Sequence, residues 1–106
     1  MNKIRSAGYR VEYLPVARDD LLEIFDYICR DNPTAAEEFI ERIDKAISKL
    51  TNFPGLGVVP KDQRLQLLGY RMLIIDNYMA FYVVEEDVVE IRRIVHGKRR
   101  YSFLME

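Results

Sequence analysis

The spacing of apolar positions changes midway along this chain, from a helical period to strand-like runs. Tyr9 to Leu14 (YRVEYL) is a short aromatic and β-branched stretch stopped by Pro15, which predicts a first strand. In the VARDDLLEIFDYICRDN that follows, Leu21, Leu22, Phe25, Ile28 and Cys29 recur at threes and fours. That spacing predicts one apolar face of a helix. Asn32-Pro33 reads as an N-cap followed by proline at the first helical position. Ala36, Phe39, Ile40, Ile43, Ala46, Ile47 and Leu50 then form an unbroken stripe on a second helix. Its other positions are charged or polar, with Glu38 four before Arg42 and Glu41 four before Lys45, the favourable order. Pro54-Gly55 stops it. So short a link between the two helices predicts an antiparallel hairpin.

Phe53 to Gln63 carries two prolines and two glycines and reads as a loop. Strand patterns follow at about Tyr70 to Ile75, at Tyr78 to Val84 and at Val88 to Val95, with Glu85-Glu86-Asp87 as a turn. Short acidic links between such runs predict antiparallel hairpins. Lys98 to Glu106 reads as a last half-turn of helix or a flexible end. The expected fold is α+β with order β-α-α-β-β-β, a helical hairpin on one face of a small, mainly antiparallel sheet. One domain spans residues 1–106, with no repeat and no linker.

Composition narrows the function classes. At 49% hydrophobic and 31% charged, the chain is neither disordered nor fibrous. A single cysteine, Cys29, excludes an internal disulfide framework and a cysteine-built zinc site, and on its helix face it reads as packing. One histidine, His96, leaves little for a histidine metal site, so no metal and no cofactor are expected. No apolar run reaches the ~20 residues of a membrane span, and no secretory signal follows Met1 to Gly8, so a cytoplasmic location is the expectation. Sixteen basic against seventeen acidic residues argue against holding nucleic acid by bulk charge. The charge is uneven, however. From Arg92 onward stand Arg92, Arg93, Lys98, Arg99 and Arg100 with His96, against Glu106 alone. Such a patch attracts phosphate even on a slightly negative protein.

That strand end is the candidate chemistry. Alternation places Arg92, Ile94 and His96 on one side and Arg93 and Val95 on the other. Arginines would grip a phosphate while His96 or Tyr101 moved a proton or stacked on a base. A lone histidine before glycine is equally the pattern of a hydrogen-bonded strand end. Arg71, opening an earlier strand, is placed to join the patch across the sheet. Arg92, Lys98 and Arg100 are candidate phosphate or RNA contacts. The acidic pairs Asp19-Asp20, Glu37-Glu38 and Glu85-Glu86 read as solvated faces or a turn. Tyr78, Phe81 and Tyr82 read as core and sheet-face residues.

Three stretches in order, YRVEYLPVARDDLLEIFDYICRDNPTAAEEFIERI, NFPGLG and GYRMLIIDNYMAFYVVEEDVVEIRRIVHGKRRY, resemble the RelE/ParE superfamily of type II toxin–antitoxin toxins. The resemblance runs from Tyr9 to Met105. It implies the same fold and a toxin of a plasmid-stabilisation or addiction module, held inactive by a cognate antitoxin. RelE-like members cut messenger RNA on the ribosome without a metal, and ParE-like members inhibit DNA gyrase. In the first branch, basic residues promote attack of a ribose 2′-hydroxyl on the adjacent phosphate. The resemblance matches Arg71 to a basic position after the strand tyrosine and Arg99 to the arginine after Gly-Lys. Tyr101 lies near the C-terminal tyrosine; His96 resembles both the C-terminal histidine that other ribonuclease branches use and the hydrophobic–His ending of the last strand in the ParE-like branch. Two positions depart: Leu73 and Met79 stand where RelE-like nucleases carry a lysine and an arginine. The implied readings are therefore a ribosome-dependent mRNA endoribonuclease built on Arg71, His96, Arg99 and Tyr101, a non-enzymatic gyrase inhibitor, or an inactive antitoxin-binding relative.

Overall fold

The computed structural model describes residues 8–97, so Lys98 to Glu106, with Arg99, Arg100 and Tyr101, lie outside the described residues. Chain order is β1 (Arg10–Tyr13), α1 (Pro15–Asp31), α2 (Pro33–Ser48), a 3-10 turn (Lys49–Thr51), α3 (Gln63–Leu67), β2 (Tyr70–Ile75), β3 (Tyr78–Glu85) and β4 (Val88–His96). The sheet order is β1-β4-β3-β2, with β1 parallel to β4 and the other pairs antiparallel. This is the expected α+β arrangement, and no helix among the described residues is long and apolar enough to cross a membrane.

Local chemistry sets the element ends. Pro15 does more than stop the first strand: it is the first residue of α1, where its missing N–H costs nothing. Asn32 caps α2 as the sequence predicts, its side chain accepting from Ala35 N at 3.1 Å ahead of Pro33. Helix α3 is absent from the sequence reading. Its five residues are held by Asp62, whose carboxylate accepts from the N–H groups of Arg64 and Leu65.

The sheet separates two apolar layers. On the hairpin side, Ala17, Phe39, Ile43, Ile47 and Leu50 meet Leu73, Ala80, Tyr82, Val89, Ile91 and Ile94. On the other, Leu65 of α3 meets Tyr70, Phe81, Val83 and Val95. Helix α2 buries the stripe its spacing predicts. The α1 reading needs correction: Leu22 is 61% exposed, and the face against the core is Ala17, Asp20, Leu21, Ile24 and Ile28. Arg42, four after Glu38, reaches out of α2 to Asp76 at 2.6 Å in the β2–β3 turn.

At the β2 end the loop after α2 is tied down by side chains. The Tyr82 hydroxyl donates to Pro54 O at 2.7 Å and accepts from Gly57 N at 2.8 Å. Arg71 donates to the carbonyls of Gly55 at 3.3 Å and Gly57 at 2.9 Å. Val58 and Met72 then exchange backbone hydrogen bonds, extending the sheet by one bridge. A Cβ on Gly57 would stand 2.7 Å from the Tyr82 hydroxyl and 2.8 Å from Met72 O. Both are fixed groups, so Gly57→Ala is expected to destabilise the fold by about 2–3 kcal/mol. A urea midpoint unchanged from wild type would contradict this packing.

Burial also fixes the protonation of three phenols. The Tyr13 hydroxyl is pushed up from 10.0 to about 12, first by burial and then by the nearby Asp44 carboxylate. Tyr78 and Tyr82 are raised as well, each chiefly by burial. The folded chain therefore binds these protons more tightly than the unfolded one. Stability is intact below about pH 10 and falls as pH rises toward 12. Urea unfolding at pH 9 and pH 11 should show that loss, and Tyr13→Phe should make it smaller.

Candidate functional site

Strand β1 ends at Tyr13, opposite Ile91, and Leu14 N closes that ladder on Ile91 O. Strand β4 runs on to His96 with β3 on one side and, among the described residues, no strand on the other. The other side is taken by α1. Asp20, 8% exposed, is the one charged residue buried among the described residues. Its Oδ2 accepts from Arg93 Nε at 2.8 Å and from the Ile94 backbone N–H at 2.9 Å, while Oδ1 accepts from Arg93 Nη2 at 3.0 Å. Asp20 thus corrects the expectation of a solvated acidic pair. The fork of two charge-assisted bonds raises the Arg93 pKa, and the carboxylate satisfies an N–H that β1 is too short to reach.

The same stretch carries a bulge. Phe81 pairs with Arg93 but the next residue, Tyr82, pairs with Ile91, so Arg92 is an extra residue in β4. The alternation expected from the sequence therefore fails at this point. Ile91 and Ile94 share the hairpin-side core although three apart, and Val95 packs on the opposite face. Arg92 goes with that opposite face, its guanidinium carbon 5.4 Å from the centre of the Tyr70 ring. It also donates to Glu90 at 2.7 Å and Glu85 at 3.3 Å.

His96 is exposed at the end of β4, opposite Tyr78. Its ring meets Tyr78 edge-on at 5.4 Å, and Tyr78 in turn packs 5.0 Å from Phe39 of α2. Two surface hollows flank this pair. One, of about 370 Å³, is lined by Asp20, Glu23, Ile24, Tyr27, Ile94 and Val95 as well as the pair. The other, of about 400 Å³, lies toward Ile74, Asp76, Asn77, Met79 and Gly97. Tyr27, 72% exposed, adds an aromatic rim to the first hollow.

The structure does not bring Arg71 to His96. The row containing His96 passes through Tyr78 to Ile75, four residues along β2 from Arg71. That is about 13 Å along the strand, two strands over. Arg71 points its guanidinium at loop carbonyls instead. Arg92 and His96 are likewise separated, one with Tyr70 and the other with Tyr78. Arg99, Tyr101, Lys98 and Arg100 lie outside the described residues. Among the described residues no cluster of histidine, cysteine, aspartate or glutamate could hold a metal ion.

The family model described as "ParE toxin of type II toxin-antitoxin system, parDE" matches residues 11–101. The chain belongs to this ParE toxin family, within the RelE/ParE superfamily of type II toxins. No curated protein matches it. Among solved structures, a chain of the chromosomal ParDE toxin–antitoxin system of P. aeruginosa is similar with a TM-score of 0.73 and 20% identity, over 86% of this chain and 98% of that one. A chain of the toxin–antitoxin complex RelBE2 from Mycobacterium tuberculosis is similar with a TM-score of 0.57 and 22% identity, over 84% and 98%. At those identities the likeness is one of fold.

Removing one member of the Asp20–Arg93 pair leaves the other poorly solvated. Asp20→Ala is expected to cost about 2–4 kcal/mol, and a double-mutant cycle with Arg93→Ala should return a coupling of at least about 1 kcal/mol. Additive effects would show that the two side chains do not act as a unit.

Proposed function

We propose that this ParE-family toxin arrests growth by binding its target, as an inhibitor of DNA gyrase, and that a cognate antitoxin silences it. The commitment of Arg71 to the carbonyls of Gly55 and Gly57 carries this reading. A nuclease centre needs cations converging where negative charge develops on phosphorus. Here Arg71 is occupied far from His96, and Leu73 and Met79 fill places where RelE-like nucleases are basic. The surface instead has the composition of a protein contact. Phe53, Leu56, Val58, Val59, Leu67 and Ile74, from the loop, α3 and β2, are all exposed. Tyr27 and His96 offer exposed rings at the β4 end. An antitoxin is the partner expected to cover such apolar surface, with a segment that orders as it binds.

A second reading, a metal-independent mRNA endoribonuclease acting on the ribosome, is supported by the exposure of His96 just before Lys98-Arg99-Arg100-Tyr101 in the chain. Two assays on purified protein separate them. In the first, gyrase supercoils relaxed plasmid with increasing toxin. In the second, primer extension maps message ends after cell-free translation with toxin added. The binding reading expects blocked supercoiling and unchanged message ends. Normal supercoiling with new cuts that require translating ribosomes would overturn it in favour of the nuclease.

A further inference from the structure

We infer that Asp20 is a positioning residue for toxicity, holding the end of β4 so that His96 stands against Tyr78 at the lip of both hollows. The inference rests on the gyrase-binding reading above, and adds to it that the exposed rings of Tyr27 and His96 at the β4 end are where the toxin meets its target.

Three observations carry it. First, β4 outruns β1: among the described residues no strand lies beside its α1-facing edge beyond Ile91, and there the Asp20 carboxylate accepts from Ile94 N. An edge left to water would fray, and the last residues of a strand are where fraying begins. Second, Arg92 is inserted as a bulge immediately before the clamp. A bulge increases twist and weakens pairing locally, so the direction of the last residues depends on what grips them afterwards: the β3 ladder out to Tyr78 on one edge and the Asp20 carboxylate on the other. Third, the grip is rigid. A fork to Arg93 and a backbone bond to Ile94 use both carboxylate oxygens, and Asp20 itself is buried in α1. Ile94 is two residues before His96, and Asp20, Ile94 and His96 line one hollow together. The hydrogen bonds that Asp20 accepts come from Arg93 and Ile94 of β4. It acts through β4, fixing where the His96 ring is presented.

The test uses the full chain carrying Asp20→Asn, with Arg93→Lys as a second variant that keeps the charge and loses the fork. Circular dichroism and exchange protection at Phe81 and Ile91 establish that each variant is folded. The amides of Ile94, Val95 and His96 are then followed by hydrogen exchange, and growth arrest by controlled expression in cells. We expect amide exchange at Ile94–His96 to rise about 30- to 100-fold in Asp20→Asn while Ile91 is unchanged. Growth arrest should need at least ten-fold more protein. Arg93→Lys should fall between wild type and Asp20→Asn in both readouts. Faster exchange with full growth arrest would overturn the inference, because the end of β4 would then not need to be held. Unchanged exchange would overturn it too, whatever the effect on growth. If Asp20→Asn does not fold, Arg93→Lys decides by the same two readouts. A wild-type protein that arrests growth without slowing gyrase would sink the gyrase reading and leave this inference to be judged on growth arrest.

Discussion

A single buried carboxylate closes the fold where its strands run out. Asp20 sits on the inward face of α1 and meets β4 just past the point where β1 stops. Pro15 ends β1 early by starting α1, so the parallel ladder stops at Ile91 and Leu14. Burying an aspartate between a helix and a sheet costs several kcal/mol unless its oxygens are satisfied. Here both oxygens are engaged by a guanidinium fork and a backbone N–H. Alanine at this position would pack without that cost, but it would leave the Ile94 N–H without this acceptor and remove the fork from Arg93. The carboxylate therefore secures one particular docking of α1 on β4, which generic apolar contact would specify less sharply.

The other end of the sheet solves a similar problem with different groups. The loop from Pro54 to Gly57 passes over the start of β2, and its backbone polar groups need partners. Tyr82 supplies both a donor and an acceptor from inside the core, and Arg71 supplies donors to two carbonyls. Charge at each end is thus spent on backbone. Arg71, a candidate catalytic cation in the sequence, is a strut of this loop in the structure.

The sequence made much of the fold legible because α2 is unambiguous and the three later strands are well separated by turns. Its limits are equally physical. Helix α1 carries two overlapping apolar sets, and the predicted one, Leu21, Leu22, Phe25, Ile28 and Cys29, has as good a period as the one that packs, Ala17, Leu21, Ile24 and Ile28. Which set faces inward is decided by Asp20, and a buried aspartate is invisible to a hydrophobic pattern. The signal lay in the spacing Ala17, Asp20, Leu21, Ile24, Ile28, readable only if a polar residue is allowed on the inner face. The bulge at Arg92 was hidden for a related reason. Alternation assumes one residue per pleat, and an inserted residue between Ile91 and Ile94 reverses every side chain after it.

That reversal bears directly on function. Strict alternation would have put Arg92 on the same face as His96, about 13 Å along the strand. With the bulge, Arg92 lies over Tyr70 between Glu90 and Glu85, while His96 lies against Tyr78 on the hairpin side. The described part of the β4 end therefore presents rings in series, Phe39 to Tyr78 to His96, with Tyr27 nearby and the acids Asp20 and Glu23 lining the same hollow. Stabilising a phosphorane calls for several cations converging on one point, whereas a protein contact calls for rigid aromatic area with little entropy left to lose. Ring against ring, backed by a helix and held by a buried carboxylate, meets the second requirement.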